Sequence, residues 1–204
     1  MNPWDERYSK DDYHYGTQPN DFLKANATTL LSDQNSPQVL CLADGEGRNS
    51  VYLAELGAQA TAVDISLVGL EKAKQLAAQR KVSLTTLHAD LSTHRFPSNT
   101  YDAVVMIFCH MPSASRPFLY EQIKNTLKPG GRLLVECYNE AQLGRGTGGP
   151  PVADLMLSLE ELKHEFSAFD VQHALDVVRP IHEGQGHTGE GSVCQFIAVK
   201  PDAG

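Results

Sequence analysis

The chain has 204 residues, 41% of them hydrophobic and 21% charged, with a formal net charge of −8 at pH 7 and an isoelectric point near 5.4. That size and apolar content suffice for one substantial core and leave little for a second, so the expectation is one domain over 1–204. The acidic balance excludes nucleic acid and anionic membrane surfaces as natural partners and leaves a small molecule.

The first residues, MNPWDERYSKDDYHYG, carry neither a basic region nor the apolar segment of a secretory leader, and no apolar run approaches the ~20 residues needed to span a bilayer. A cytoplasmic protein is expected. The four cysteines, at 41, 109, 137 and 194, stand far apart in apolar or strand-like stretches. Such spacing suits buried thiols better than disulfides or a zinc cluster. Residues 1–36 read as a helical arm in which Trp4, Tyr8, Tyr13 and Tyr15 gather aromatic area ahead of Gly16. Two readings stay open for it: a lid that shields a ligand from water, or an ordinary packing helix with a tethered loop.

Val39 to Leu42 is a short apolar run typical of a strand buried on both faces, and Ser50 to Glu55 begins an amphipathic helix. The intervening turn, Ala43 to Asn49, carries small residues at Ala43, Gly45 and Gly47 that allow close backbone approach to a ligand. Its charges narrow the ligand. Asp44 and Glu46 would face the pyrophosphate of a dinucleotide, and like charges about 4 Å apart repel by roughly 4 kcal/mol at an effective dielectric near 20. The same carboxylates attract the sulfonium and ammonium groups of S-adenosylmethionine (SAM). Asn49 and Ser50 stand where a dinucleotide fingerprint wants its third glycine, and no GK[ST] follows to make a Walker loop.

Ala60 to Ile65 is a second β-rich run ending in Asp64, about 20 residues beyond the glycine loop, where an acidic residue accepts hydrogen bonds from ribose hydroxyls. Its alternative role is to cap the helix over Leu67 to Arg80, for which Ser66 is better placed. Ser83 to Leu87 reads as a third strand, and Asp90 follows it at the ligand-binding edge of an open sheet, as an acceptor for an adenine amino group or as a solvated turn residue. Tyr101 to Phe108 is a fourth strand. Ile123 to Tyr138 gives a helix end, a turn at Pro129-Gly130-Gly131 and a fifth strand.

The ordered set LCLADGEGRN, VDIS, HADL, YDAVVMIFCH and LKPGGRLLVE, spread over residues 39 to 138, resembles the class I SAM-dependent methyltransferases. The amino-terminal WDERYSKDDYHYGTQPNDFL with GEGRNSVYLAELG resembles, within them, the small bacterial branch that includes tellurite-resistance and thiopurine S-methyltransferases. The resemblance implies an α/β, doubly wound, mostly parallel seven-stranded sheet with helices on both faces. Strands are then expected near residues 39, 60, 84, 103, 132, 170 and 193, the last, Ser192 to Val199, antiparallel. It also divides the chain into a SAM-binding half, 37–138, and a substrate-side half, 139–204.

By the same resemblance Asp44, Gly45 and Gly47 surround the methionine part of SAM, Asp64 holds the ribose, and Asp90 with Leu91 meets the adenine. Ala43, Glu46, Asn49, Ile65 and Phe108 complete the cofactor set. Cys41 departs from the family's pattern, which often places an acidic residue there; Asp44, Glu46 or a water is left to meet the ammonium.

Three segments are candidates for the acceptor pocket. One is the aromatic arm. Another is Phe108 to Pro112, where His110 orients a nucleophile or accepts its proton, or else caps a helix starting near Ser113. The last comprises the loops Gly144 to Pro151 and Glu183 to Gly191, both longer than a hairpin requires. The tellurite-resistance branch carries a histidine near an arginine in a comparable late segment. Here His187 is present, but Thr188 and Gly189 supply no arginine, which counts against tellurite itself. His182 and His187 lack the companions of a known metal site, and none is expected. Arg145 is a candidate for an anionic substrate group or a solvated loop residue.

The reaction implied is methyl transfer from SAM to a small-molecule acceptor, and a soft sulfur, selenium or tellurium nucleophile needs little general-base help. A noncatalytic SAM-binding sensor or partner module is the alternative, and an NAD-dependent oxidoreductase is disfavoured by Asp44, Glu46 and the missing glycine.

Overall fold

The computed structural model describes residues 2–31 and 35–202, so residues 1 and 32–34 of the arm lie outside the described residues. Seven strands form one sheet: β1 (Gln38–Leu42), β2 (Gln59–Asp64), β3 (Thr85–His88), β4 (Tyr101–Ile107), β5 (Leu127–Tyr138), β6 (Asp170–Glu183) and β7 (His187–Val199). Their order is β3-β2-β1-β4-β5-β7-β6. The pairs from β3 across to β5 are parallel, and β7 runs antiparallel to both β5 and β6.

Strand alternation explains the layering. Leu40 and Leu42 of β1, with Val104 and Met106 of β4, point to one face and pack with Leu119 and Ile123 of α5 (Arg116–Thr126) and Leu162 of α6 (Leu159–Glu165). Val39, Cys41, Ala103 and Val105 point to the other face, against Phe22 and Leu23 of α2 (Asp21–Leu30) and Leu53 of α3 (Arg48–Glu55). Successive residues of a strand face opposite sides, so a strand apolar at every position needs a helix layer on both. The helix α4 (Leu67–Arg80) starts at Ser66, whose Oγ accepts from the Gly69 amide at 3.0 Å. The short α1 (Pro3–Tyr8) docks beside α4 and the glycine loop.

Strand order reverses at β1, between β2 and β4, and the crevice at the carboxyl ends of β1 and β4 is where ligands bind in such sheets. The glycine loop leaves β1 at that edge.

Several local expectations shift. Pro129-Gly130-Gly131 lies inside β5: pairing with β4 passes from Tyr101↔Leu127 to Ala103↔Arg132, so the extra residues form a bulge that keeps the strand continuous. Gly184 to Gly186 is the tip of the long β6–β7 hairpin, and the final strand begins at His187 rather than Ser192. The supposed loop is therefore mostly ladder. α5 starts at Arg116, three residues beyond the expected Ser113, and β3 covers Thr85–His88 rather than Ser83 to Leu87.

Candidate active site

A cavity of about 590 Å³ opens at this crevice, within the range of small-molecule and cofactor sites. Asp44, Asp64 and Asp90 line one part of it together with Ala43, Asn49, Ile65 and Leu91. Phe108, His110, Met111, Gly148, Gly149 and His187 line another, and Trp4, Arg7, Tyr8, His14 and Tyr15 bring the arm to the same space.

Asp44 is buried and accepts a hydrogen bond from Ser50 Oγ at 2.5 Å. Burial raises its carboxyl to about 7, against the pull of Ser50 and with help from the nearby Asp64 charge. Asp64 is held at both oxygens, Oδ2 by the Gly45 amide and Oδ1 by the Ser66 amide, each at 2.8 Å. Burial raises its pKa as well. A carboxylate oxygen has two lone pairs, so each retains capacity for a ribose hydroxyl. Asp90 Oδ1 takes the Ser92 amide and Oγ at 2.8 and 2.6 Å, bonds that hold this carboxyl below the usual range.

Glu46, Gly45 and Gly47, also expected in the cofactor set, are not among the residues that line the cavity. Glu46 Oε1 pairs with Lys72 Nζ at 2.5 Å and Oε2 accepts from the His14 amide at 2.7 Å, so its charge is spent on fixing the arm. A Cβ on Gly45 would stand 2.6 Å from Tyr8 Oη, and one on Gly47, at φ +88°, 2.5 Å from the Ala73 Cβ. These glycines allow the arm and α4 to pack closely on the loop. Cys41 is buried within β1, and Asp44 is left as the acidic group of the loop that faces the cavity.

The other end is aromatic. Phe108 holds a left-handed backbone at φ +50°, a strained conformation for a bulky residue that recurs at functional sites. Its ring centroid lies 4.4 Å from that of His187 and 4.7 Å from that of Tyr138. His110 does not cap a helix. Its Nδ1 lies 2.9 Å from the Leu155 carbonyl, which only a ring N–H can satisfy, so Nε2 is the bare lone pair; that atom is buried and without a partner. Burial pushes its pKa down to about 4. His187 Nδ1 faces Glu183 Oε2 at 3.4 Å, and burial lowers its pKa despite that carboxylate.

Residues beyond the sequence reading complete this end. Arg48 Nη2 donates to Glu183 Oε2 at 2.6 Å, and Asn20 Nδ2 donates to both Glu183 and Glu136, at 2.8 and 2.7 Å. Arg179 pairs with Glu136. Arg48 and Asn20 stood in quoted motifs, but only the folded chain brings them to Glu183 across more than 130 positions. Arg145 is exposed, donating from Nε to the Ala141 carbonyl at 2.9 Å, and does not line the cavity. Neither does His182. Among the described residues no cluster of three His, Cys, Asp or Glu is placed to hold a metal.

The donor set fits SAM. Two buried carboxylates with spare lone pairs and an apolar flank at Ile65 and Leu91 suit a ribose and a cationic tail. The fold and this wall together define a nucleoside-cofactor domain of the Rossmann-like kind.

Residues 39–131 match the methyltransferase domain family. A release factor glutamine methyltransferase from Rhodopirellula baltica is 35% identical over 111 residues, 51% of this chain and 36% of its own length. A demethylmenaquinone methyltransferase from Tropheryma whipplei is 32% identical over 111 residues, 53% of this chain and 45% of its own. The chain thus spans less than half the length of these relatives. Among solved structures, TehB from Haemophilus influenzae superposes with a TM-score of 0.70 at 18% identity, covering 97% of this chain and 65% of that one. Magnesium protoporphyrin IX methyltransferase from Synechocystis, solved with bound SAM, gives 0.65 at 16% identity, with 88% and 78% coverage. Residues 39–131 thus match a methyltransferase domain, the whole chain has the Rossmann-like fold of these structural neighbours, and SAM is the cofactor such domains use.

Proposed function

We propose that this protein transfers the methyl group of SAM to a small-molecule acceptor, a soft sulfur, selenium or tellurium nucleophile, held between His110 and His187. The observation that carries the reading is that one cavity joins the acidic wall of Asp44, Asp64 and Asp90 to an aromatic end containing both histidines. When bound, SAM supplies an electrophilic methyl on a sulfonium.

Asp64 would hold the ribose hydroxyls, Asp44 the cationic tail, and Asp90 with Ile65 and Leu91 the adenine, with Ala43, Asn49 and Phe108 filling the space between. His110 offers a bare Nε2 lone pair that can accept a hydrogen bond from the acceptor and orient it; burial disfavours its protonated form, so a thiol acceptor reacts as a thiolate formed before methyl transfer. His187, its tautomer set by Glu183, orients the acceptor from the opposite side. The arm acts as a lid: Trp4, Tyr8 and Tyr15 exclude water while the reactants are aligned, and alignment alone supplies roughly 7 to 11 kcal/mol in well-oriented systems.

The likeness of the arm to the tellurite-resistance branch supports a soft acceptor, while the missing arginine beside His187 favours thiols and selenols over tellurite. The buried unpaired thiols and the acidic surface favour a cytoplasmic enzyme.

Calorimetric titration with SAM, S-adenosylhomocysteine and NAD, followed by a methyl-transfer assay on thiol, selenium and tellurium acceptors, tests this. Micromolar binding of the first two without NAD, and product from a soft acceptor, is the expected result. NAD binding, or none, overturns it; SAM binding without turnover on any acceptor would make the chain a noncatalytic SAM-binding module.

A further inference from the structure

Arg48 lines the cavity at 7% exposure, and its guanidinium is only half used. Nη2 donates to Glu183, but Nη1 is buried and has no hydrogen-bond partner among the described residues. A buried guanidinium N–H without an acceptor is costly, and arginine cannot relieve the cost by losing its proton. Asp44, close enough for its charge to be felt, accepts from Ser50, and no hydrogen bond joins it to Arg48 among the described residues; Glu183 and Glu136 are already engaged. Glu183 receives Asn20 at Oε1 and both Arg48 and His187 at Oε2; Glu136 receives Asn20, Arg179 and Gln195.

A second guanidinium stands on the same cavity. Arg7 donates to Tyr15 Oη at 2.9 Å, and among the described residues no ion pair within 4 Å involves it. The Tyr15 ring lies 4.7 Å from His187, which faces Glu183 and through it Arg48. The Tyr15–His187 wall is thus flanked by two cations, one of them with an orphaned donor. Arginine's planar fork suits carboxylate geometry.

We propose that a carboxylate, or an oxyanion of the same shape, binds in the cavity on Arg48 Nη1, on the side of the Tyr15–His187 wall shared with Arg7. The proposal rests on the reading of this cavity as a methyl-transfer site, because both molecules that reading puts there can bring a carboxylate: the cofactor at its methionine end, or the acceptor.

The test compares wild type with Arg48→Lys, which keeps a positive charge for Glu183 but cannot serve it and a ligand with two separate N–H groups in one plane. Binding is measured calorimetrically for S-adenosylhomocysteine and for 5′-methylthioadenosine, which lacks the amino acid tail. Mercaptoacetate and 2-mercaptoethanol are titrated into the S-adenosylhomocysteine complex. A loss of tenfold or more for S-adenosylhomocysteine, with methylthioadenosine within twofold, supports the proposal and assigns the carboxylate to the cofactor. An unchanged S-adenosylhomocysteine affinity with mercaptoacetate alone weakened tenfold supports it and assigns the carboxylate to the acceptor.

Equal shifts for charged and uncharged members of both pairs, or no shifts, overturn the proposal and leave Arg48 as a structural partner of Glu183. Should the variant not fold, wild type decides with pairs that differ in the carboxylate: mercaptoacetate against 2-mercaptoethanol, and S-adenosylhomocysteine against its decarboxylated form, which keeps the amine; equal binding within both pairs overturns it, and a tenfold preference for the carboxylate-bearing member of either supports it. Failure of wild type to bind either adenosine ligand overturns the reading of the cavity itself.

Discussion

Replacing Asp44 by asparagine removes one charge from the cavity while keeping the shape of the side chain, and the consequence is a change in pH dependence. Burial lifts this carboxyl from 3.8 to about 7, so in the ligand-free protein it is about half protonated near neutrality. A cationic ligand binds the ionised form, so binding expels the proton wherever the pH lies below about 7. Affinity for SAM therefore rises with pH up to that value and flattens above it. One unit below, about a tenth of the molecules are ionised, and the apparent Kd is about tenfold weaker than the plateau, or about 1.36 kcal/mol.

Asparagine retains an oxygen for Ser50 Oγ, so the loop should keep its form. Two opposite charges about 4 Å apart attract by at most about 4 kcal/mol at an effective dielectric near 20, and a loss of tenfold or more at pH 8 is expected for Asp44→Asn, with a flat profile below. Titration with SAM from about pH 5.5 to 8.5 in two buffers of different ionisation heat counts the proton released. A wild-type Kd that stays constant between about pH 6 and 8, or the same slope in Asp44→Asn, refutes the reasoning. The stability of the free protein carries the opposite sign. Between 3.8 and about 7 the folded carboxyl binds more protons than the unfolded one, so this residue's contribution to stability falls as pH rises through that window, and asparagine removes the fall.

Asp64→Ala should weaken SAM by about 1.5 to 3 kcal/mol, the loss of a charged acceptor; unchanged calorimetric affinity would move the ribose elsewhere. His110→Ala should lower turnover of a thiol acceptor by about tenfold, the loss of one orienting hydrogen bond, while leaving S-adenosylhomocysteine affinity alone, and full activity on every acceptor would remove His110 from the acceptor site. Lys72→Met should destabilise the fold by about 3 to 5 kcal/mol in urea, because it leaves Glu46 buried and unpaired. It should also speed proteolysis of the arm, since Lys72 Nζ donates to the carbonyls of Lys10 and Asp12 at 2.9 and 2.7 Å; an arm as resistant as in wild type would contradict that anchoring.

The sheet was legible because its signals are local. Val39 to Leu42 is apolar at every position, which demands helix layers on both faces, and those layers are present. Asp64 is legible for the same reason, as it ends a strand and starts a helix within three residues. The anchoring role of Glu46 was not legible, because its neighbours in the chain are glycines and Asp44, whereas its partner, Lys72, comes a helix, a strand and part of a second helix later. Gly189 and Gly191 misled, since the composition of 183–191 favours a loop but the partner strand takes these two into the ladder and leaves only Gly184 to Gly186 as the tip. Arg48 had no local signal at all. An arginine opening a helix is ordinary until a glutamate 135 positions away meets it.

The arm binds both ends of the cavity to one segment. Tyr8 packs on the glycine loop beside Asp44, and His14 hands its amide to Glu46 and its carbonyl to the Gln185 amide at the hairpin tip, at 2.7 and 2.8 Å. Tyr15 then covers His187. Glu46 stands in the glycine loop, but its partners belong to α4 and the arm, and through His14 that loop is tied to the hairpin tip.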